Sequence, residues 1–341
     1  MLKLRRGTVV VADPVRDDEQ WQRLSVDVAG EQRPAVVDVA LLGSCTFGDE
    51  VVVNVEARDL ALGSGGFDVV HVNLTRGLSG EGVPGAHVMK LNYSSLQHAV
   101  LPVEGERLAV PLGRPVAVFP LHGHLAPLAW ALAQARPGAR VGYVQTAGGA
   151  LPGGMSSTVL ELRRLGLLAD HVTAGPAYGG EREAITTAGA IHDGLAEQGW
   201  DAALVGPGPG ILGSGSALGH GGIVAMDSAH AALALRCATV LVARMSAGDP
   251  RPRHQGLSHH TRTVLDLLLA PVTLPVEMGA TDPAFAAARA RGHVVHEVAV
   301  DVEGYRASGL PARTMGRGID EDRPFFAAAL AAGTTVGGLV R

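Results

Sequence analysis

Lysine is almost absent from this sequence of 341 residues: Lys3 and Lys90 are the only two, and arginine carries the remaining positive charge. The chain from residue 91 onward therefore cannot supply a P-loop lysine or a Schiff-base lysine. Cysteine is equally scarce. Cys45 and Cys237 are too few for a disulfide framework or a cysteine-rich zinc site.

Charge and long apolar runs are also lacking. Charged residues make up 18% of the chain and the net charge is −5, so the composition provides no basic face for nucleic acid. No apolar run reaches the roughly 18 residues of a membrane span, because Asp227, His230 and Arg236 interrupt the best stretch. We therefore expect a cytoplasmic protein with no nucleic-acid and no membrane partner.

Glycine, in contrast, is abundant at 46 residues, and hydrophobic residues reach 47%, enough for a substantial core. In residues 1–110, short runs rich in β-branched residues alternate with turn signals, at 8–11, 35–42 and 50–55. Short strands of this kind predict a small β-rich, barrel-like N-terminal domain.

Residues 111–341 alternate between short apolar segments and longer helical ones. The predicted strands are 116–119, 141–145, 171–173, 202–205, 240–243, 272–276 and 294–299. The predicted helices are 125–135, 156–165, 181–198, 223–235, 258–269 and 325–332. This alternation is typical of βαβ units, and it predicts a Rossmann-like three-layer α/β sandwich with a mostly parallel sheet.

The loops that lead from strand to helix are long and unusual, whereas those from helix to strand are short. The five long loops are 120–127, 146–155, 174–183, 206–222 and 245–260. In a parallel sheet all strand-to-helix loops emerge at the carboxyl edge, where α/β proteins bind their ligands. We therefore expect a ligand site at that edge, with five merely flexible turns as the alternative.

Glycine-rich loops suit a phosphate or carboxylate group because their backbone N–H groups are accessible. The glycines predicted to bind the ligand are Gly148, Gly149, Gly179, Gly180, Gly206, Gly208, Gly210 and Gly213. The last three have the spacing of a dinucleotide-binding loop, but Pro207 and Pro209 remove donors and the next strand ends at Arg244 instead of an acid. Tight loop packing and an NAD(P)-dependent oxidoreductase remain alternatives.

The segment 249–261 holds the densest cluster of reactive side chains. Ser258 is a natural helix N-cap, which places His259 and His260 in the first turn and favours their neutral forms. Neutral imidazole suits proton transfer or metal ligation. We predict His254, His259 and His260 as catalytic residues, with capping and packing roles as the alternative.

Charged residues near these loops complete the predicted site. Arg251 and Arg253 offer fork-shaped donors for an anion. Glu181 is the nearest candidate for a catalytic carboxylate, although it also opens a predicted helix, whose dipole alone would stabilise it. Ser156 is expected to be an N-cap and not a nucleophile, since the chain has no G-x-S-x-G motif.

His122 and His124 have His-x-His spacing, which in an extended loop places both side chains on the same side. With Asp249 and a histidine of the 254–260 segment they could bind a divalent metal. A hydrogen-bonded or packed histidine pair is the alternative.

Five segments together resemble motifs of an uncharacterised bacterial family called domain of unknown function 3866: GGALPGGMSSTV, GPAYGGEREAI, GPGPGILGSGSALG, DPRPRHQGLSHHT and TMGRGIDED. The resemblance extends over essentially the whole chain and implies no activity, substrate or cofactor. Three positions depart from the family's pattern: Ala147 and Glu181 stand where aspartate is expected, and His220 where an aromatic residue is expected. The loss of the acid at 147 weakens any metal or acid–base scheme that needs it.

These observations predict an enzyme that acts on a small anionic compound, by histidine-based acid/base catalysis or by metal-assisted hydrolysis or group transfer. A non-catalytic sensor for a small, nucleotide-like ligand is the alternative. The histidine pattern is compatible with a divalent metal as cofactor. The sequence does not decide whether the β-rich domain forms a homo-oligomer.

Overall fold

The computed structural model describes residues 1–16, 19–61, 66–149 and 152–341, so residues 150 and 151 of the predicted loop 146–155 lie outside the described residues. The chain divides into two compact units, Met1–Leu101 and Pro102–Arg341. In the described ranges, no helix is both long enough and apolar enough to cross a membrane.

The first unit is built around a closed barrel with the strand order β1-β2-β3-β5-β4. Its elements are β1 (Leu4–Ala12), β2 (Trp21–Val28), β3 (Glu31–Asp38), α1 (Val39–Leu42), β4 (Glu50–Asn54), α2 (Glu56–Asp59), β5 (Asp68–Asn73), β6 (Val88–Lys90) and β7 (His98–Val100), of which the last two form a separate antiparallel pair. Alternate residues point inward, so that Val9, Val26 and Val51 are fully buried. The predicted barrel-like domain is confirmed.

One barrel strand begins and ends earlier in the chain than predicted. The run 35–42 was expected to be a single strand, but β3 ends at Asp38, whose carboxylate accepts a hydrogen bond of 3.1 Å from the backbone N–H of Leu41. An aspartate at this position caps the helical turn α1 and so ends the strand.

The second unit contains an eight-stranded sheet in the order β11-β10-β9-β12-β8-β13-β16-β17. All of its neighbouring strands are parallel. The strands of this unit are β8 (Pro115–Val118), β9 (Val141–Thr146), β10 (Asp170–Ala174), β11 (Arg182–Ala184), β12 (Ala202–Pro207), β13 (Ala238–Leu241), β14 (Met245–Ser246), β15 (Gly256–Leu257), β16 (Thr273–Glu277), β17 (Val294–Val298), β18 (Arg313–Thr314) and β19 (Arg317–Gly318). Strands β14–β15 and β18–β19 form small antiparallel pairs outside the sheet.

Helices cover both faces of the sheet. They are α3 (Leu125–Ala135), α4 (Ser157–Arg164), α5 (Thr187–His192), α6 (Val224–Ala234), α7 (His259–Leu267), α8 (Pro283–Ala290), α9 (Val302–Ala307) and α10 (Arg323–Leu339). Shorter helical turns are His122–His124, Gly153–Met155, Asp193–Glu197, Gly221–Ile223 and Pro252–His254. Helices α3, α4, α9 and α10 pack on one face and α5 to α8 on the other, each over its own apolar core. The predicted Rossmann-like three-layer α/β sandwich is confirmed.

The structure differs from the prediction of one continuous helix over 181–198. Residues Arg182–Ala184 form the edge strand β11, and α5 begins only at Thr187. The hydroxyl of Thr186 accepts a 2.9 Å hydrogen bond from the N–H of Gly189 and caps the helix. The helix start is therefore set by Thr186 and not by the glutamates before it.

The sheet topology concentrates four loops at the middle of the carboxyl edge. Strands β8 and β9 lead into helices α3 and α4 on one face, whereas β12 and β13 lead into α6 and α7 on the other. In the sheet these strands alternate, in the order β9-β12-β8-β13. Neighbouring strands whose connections leave in opposite directions open a crevice at this edge, the usual ligand position in α/β folds.

Candidate functional site

Arg244 is buried just beyond the end of β13. Its backbone N–H donates to Oγ1 of Thr261 at 2.9 Å, and its carbonyl accepts from the N–H of Ser258 at 2.9 Å, so the start of α7 holds it in place. Its Nη1 donates to Nδ1 of His260 at 2.7 Å. A guanidinium only donates, so the neutral His260 ring carries its proton on Nε2.

Four histidines pack together beside this arginine. The ring centroid of His260 lies 3.6 Å from that of His220, 4.4 Å from His259 and 4.9 Å from His254. The prediction that Ser258 caps α7 is confirmed, because its Oγ accepts from the N–H of His260. The same Oγ lies 2.7 Å from Nδ1 of His254. One short segment thus places three of the four rings.

Several ring nitrogens in this cluster lack a partner among the described residues, namely Nδ1 of His220, Nε2 of His259 and Nε2 of His260. One potential ligand atom from each of these three residues lies within 4.8 Å of the others. Nε2 of His220 donates to the carbonyl of Ala217 at 3.0 Å, which leaves Nδ1 as an acceptor. The cluster therefore offers both a hydrogen-bond donor, at His260, and an acceptor, at His220.

More positive than negative charges surround the histidines. The charged groups are Arg244, Arg251, Arg253, Arg317, Asp249 and Asp322. Arg251 binds Asp249 through two hydrogen bonds of 2.8 and 2.7 Å. Nε of Arg317 binds Asp322 at 2.9 Å, whereas Arg244 reaches Asp249 only at 3.6 Å. Among these six groups the arginines outnumber the aspartates by two.

The environment keeps the histidines neutral. Burial, with the nearby Arg244 charge second, lowers the pKa of His254 to about 3. Burial lowers the pKa of His259 to about 4 and that of His260 further. The expected neutral state agrees with these shifts, although burial is their largest cause. The pKa of Arg244 falls to about 10, chiefly through burial, which leaves it charged at neutral pH.

A second hydrogen-bonded group lies at the ends of β8, β9 and β12. Nε2 of His122 is 2.8 Å from Oγ of Ser156, and its Nδ1 is 3.3 Å from the carbonyl oxygen of Pro207. Ser156 caps α4, as predicted, and accepts from the N–H of Val159 at 3.2 Å. His122, which follows β8, therefore contacts the segments that follow β9 and β12.

Three of the eight predicted ligand-binding glycines lie where the β9 and β12 loops touch. A Cβ on Gly149 would overlap the carbonyl oxygen of Gly208, and one on Gly148 would lie 2.8 Å from that of Gly221. A Cβ on Gly208 would likewise overlap the Gln145 side chain. These glycines bring the β9 and β12 loops into direct contact. The packing alternative accounts for this part of the pattern.

The remaining predicted glycines lie in other surroundings. Gly206 is the penultimate residue of β12, and a Cβ there would overlap the ring of Phe119. Gly210 has a φ of +80°, and the position of a Cβ on Gly213 has no neighbour within 4 Å among the described residues. The last two, Gly179 and Gly180, lie between β10 and β11 at the edge of the sheet.

Glu181 is not brought together with the histidines. It precedes the edge strand β11 and forms an ion pair of 2.7 Å with Arg163 on α4. Five inter-strand spacings separate β11 from β13, a distance of about 24 Å. The structure thus places this carboxylate at the amino end of the edge strand β11, far from Arg244 at the carboxyl end of β13.

The three predicted metal ligands make separate contacts. His124 is fully buried and stacks on Phe325 with a centroid distance of 4.2 Å, and neither of its ring nitrogens has a partner in the described part of the chain. His122 bonds to Ser156, as described above, and Asp249 lies among arginines. The histidines that cluster are others, including His220.

Two components of the site were missed by sequence reasoning. Arg244 follows the apolar run 240–243 directly, and a charged residue at the end of a buried strand is a signal that could have identified it. His220 is brought to the cluster by the turn Gly221–Ile223, and no local pattern indicates that contact.

Comparisons with known proteins place the sequence as follows. The sequence pattern of the family described as "Protein of unknown function (DUF3866)" matches residues 35–333. Nothing among the curated proteins matches the sequence. Among solved structures, the crystal structure of YjeQ from Thermotoga maritima is similar at 11% identity and a TM-score of 0.14, over 76% of this chain and 65% of that chain. The chain thus spans just under two thirds of the length of that protein.

Proposed function

The chain belongs to the DUF3866 family, as its motifs predict, and we propose that it is an enzyme that acts on a small anionic compound at the carboxyl edge of its parallel sheet. The surplus of positive charge around the neutral histidines carries this proposal. In the described part of the chain, Asp249 is shared by Arg251, Arg317 and, at 3.6 Å, Arg244, while Arg253 forms no ion pair, so the two aspartates do not offset all four arginines. An uncompensated buried charge costs several kcal/mol, so a phosphate or carboxylate group is the ligand this centre fits.

The histidines supply the proton chemistry. His260 is held by Arg244 as an Nε2–H donor, whereas Nδ1 of His220 is an acceptor. His254 and His259 lie beside them, with pKa values held low by burial and positive charge. A bound anion would offset the arginine charge and raise both pKa values. Substrate binding would thus bring these histidines towards the range in which they act as general acid or base.

Metal assistance is the less favoured version of this function. His220, His259 and His260 have the spacing of a metal site. However, Nδ1 of His260 accepts from Arg244, so a proton occupies the ring's other nitrogen, and a full positive charge lies 2.7 Å away. Both features oppose a divalent cation and favour an anion.

Anion binding is tested with inorganic phosphate as the probe. We expect phosphate to raise the Tm of the wild-type protein in proportion to ln(1 + [phosphate]/Kd), and Arg244→Gln to remove most of that shift. Arg289→Gln, at an exposed position of α8, is the matched control and should respond like the wild type. Equal shifts in both variants would refute the assignment of the anion to Arg244.

Catalysis is tested separately, with panels of phosphate monoesters and carboxylic esters. For an enzyme, His254→Ala should lose turnover while phosphate still raises its Tm. If the wild-type protein binds phosphate but turns over no compound of either panel, the non-catalytic sensor is the better account. A nicotinamide-dependent oxidoreductase predicts a Tm shift with NAD(P) and is discarded without one.

A further inference from the structure

His122 and Ser156 form a pair that the arginine–histidine centre does not use. Nε2 of His122 lies 2.8 Å from Oγ of Ser156, and its Nδ1 faces the carbonyl oxygen of Pro207 at 3.3 Å. A carbonyl only accepts hydrogen bonds, so Nδ1 carries the proton and Nε2 has a free lone pair. The hydroxyl proton of Ser156 therefore points at a base whose tautomer the backbone fixes.

The pair has the three parts of an activated nucleophile: a hydroxyl, a base within hydrogen-bond reach and a group that orients the base. Burial lowers the pKa of His122 to about 4, while the Pro207 carbonyl opposes that shift, so the ring is neutral and able to accept a proton at pH 7. Ser156 is 2% exposed, and His122 is half-buried.

The backbone after Ser156 suits the charge that an attack would create. Ser156 is the N-cap of the eight-residue helix α4, and its Oγ accepts from Val159, which leaves one lone pair for attack. The N–H groups of Ser157 and Thr158 lie in the first turn, where backbone donors have no acceptor inside the helix. Such donors and the helix dipole stabilise a developing oxyanion.

The loop that carries His122 also borders the histidine cluster. The position of a Cβ on Gly222 lies 3.5 Å from Cβ of Pro120 and 3.3 Å from Nδ1 of both His220 and His260. Pro120 and His122 are two residues apart in this loop. One small substrate at the carboxyl edge could therefore meet both groups.

We propose that Ser156 is a nucleophile with His122 as its base, and that together they hydrolyse an ester of a small carboxylic acid. The expectation that this substrate also carries a negative charge rests on the proposed function. The covalent step at Ser156 is independent of it.

The step proceeds in two halves. Oγ of Ser156 attacks the ester carbonyl carbon while its proton passes to Nε2 of His122; the bond from that carbon to the alcohol oxygen then breaks, and the alcohol leaves with this proton. Water next attacks the acyl-serine ester and gives a proton to His122, which returns it to Oγ as the acid departs. The net reaction is ester plus water to acid plus alcohol.

The first test is covalent labelling of the full chain with a fluorophosphonate, which forms an Oγ–P bond and releases fluoride and the hydroxyl proton. Peptide mapping should find the label on Ser156. We expect Ser156→Gly, which keeps a tolerated N-cap residue, to abolish labelling, and His122→Gln to slow it at least a hundredfold. Labelling of another serine, or no loss in Ser156→Gly, overturns the proposal.

A matched control separates chemistry from folding. Thr186 caps α5 with a hydrogen bond of 2.9 Å, as Ser156 caps α4, and no histidine contact is recorded for its hydroxyl among the described residues. Thr186→Ala should therefore keep the labelling rate of Ser156. The pH dependence of labelling tests the role of His122. In the wild-type protein the labelling rate of Ser156 should fall as the pH is lowered through the pKa of His122, which is about 4. A labelling rate independent of pH refutes the role of His122.

The second test compares hydrolysis of neutral 4-nitrophenyl acetate with that of the anionic mono-4-nitrophenyl glutarate. Ser156→Gly should lose both activities, whereas Arg244→Gln should slow the anionic ester at least tenfold more than the neutral one. If Arg244→Gln has no selective effect, the anion site fails while the nucleophile stands. If Ser156→Gly keeps both activities, the nucleophile fails and the anion site stands.

Discussion

Nη1 of Arg244 donates a buried hydrogen bond of 2.7 Å to Nδ1 of His260. The contact sets three properties of the candidate site together. It fixes the proton of His260 on Nε2, it places a full positive charge beside four neutral rings, and it attaches the end of β13 to the first turn of α7. These donors and this charge are what supports the proposal of an anionic ligand.

Buried neutral histidines should make the protein sensitive to acid. The pKa of His124 is lowered by burial from the ordinary value of 6.5 to about 3, and that of His171 likewise to about 3. Below pH 6.5 the unfolded chain binds protons that the folded chain does not. Stability is therefore full above pH 6.5 and falls steadily down to about pH 3, by about 1.4 kcal/mol per pH unit for each such histidine.

Urea unfolding at pH 7.5, 6 and 5 measures this dependence. His124→Phe keeps the stack on Phe325 and removes a ring that forms no hydrogen bond with the described residues, so the slope of unfolding free energy against pH should drop by about 1.4 kcal/mol per unit. Leu78→Phe, which introduces the same ring at an exposed position and removes no titratable group, is the control and should leave the slope unchanged. An unchanged slope in His124→Phe would mean that the buried ring is already protonated in the folded state.

Asp249 should be the most costly charge to remove. It is fully buried, and its Oδ2 lies 2.7 Å from Arg251, 3.4 Å from Arg317 and 3.6 Å from Arg244. Asp249→Asn leaves these cations without their shared counterion, and we expect a loss of about 3–5 kcal/mol in unfolding free energy. Because added phosphate can replace the lost charge, it should stabilise this variant more than the wild type.

Asp320→Asn is the comparison for that substitution. Asp320 pairs with Arg306 at 2.6 Å, but both side chains are exposed, so its loss should cost less than about 1 kcal/mol. Denaturant titrations with and without phosphate give both quantities. Similar losses in the two variants would contradict the dependence on burial.

The α/β fold was predictable because each buried parallel strand is a short apolar run and each helix a longer amphipathic segment. The predicted helix 125–135 coincides with α3, and the predicted strand 141–145 lies within β9. Strand β2 was missed although Leu24, Val26 and Val28 alternate with polar residues as in a half-buried strand, because the predicted strands were all continuous runs rich in β-branched or apolar residues. The edge strand β11 was missed because its three residues, Arg182–Ala184, are too few to show a period.

The site could be predicted only at the level of loops. Parallel strands require their carboxyl ends to share an edge, so the convergence of the glycine-rich and histidine-rich loops follows from the pattern alone. The charge partners of individual side chains do not follow from the pattern. Arg251 and Arg244 are both arginines near the same loop, and only the folded chain shows that Arg251 binds Asp249 bidentately and Arg244 binds His260. Strand order, which separates Glu181 from the histidines, is likewise unreadable in sequence.

Of two predicted ligand-binding glycines, only one should be sensitive to an added methyl group. A Cβ on Gly149 overlaps the carbonyl oxygen of Gly208 and would push the β9 and β12 loops apart. Gly149→Ala should cost about 1–3 kcal/mol and reduce the Tm shift caused by phosphate. Gly213→Ala, where a Cβ has no neighbour within 4 Å among the described residues, should change neither. Equal effects would show that the loop contact is not required.

The Arg244–His260 contact also predicts how the site can be converted to bind metal. Arg244→Met removes the positive charge and frees Nδ1 of His260, so that His220, His259 and His260 become three neutral imidazoles with potential ligand atoms within 4.8 Å of one another. Calorimetric titration with Zn²⁺ should show at least tenfold tighter binding by Arg244→Met than by the wild type. The double variant Arg244→Met/His220→Ala should lose that gain, because it lacks one ligand. Equally tight Zn²⁺ binding by the wild-type protein would mean that the arginine charge does not exclude a cation, and the metal-assisted reaction would then replace acid/base catalysis at this centre.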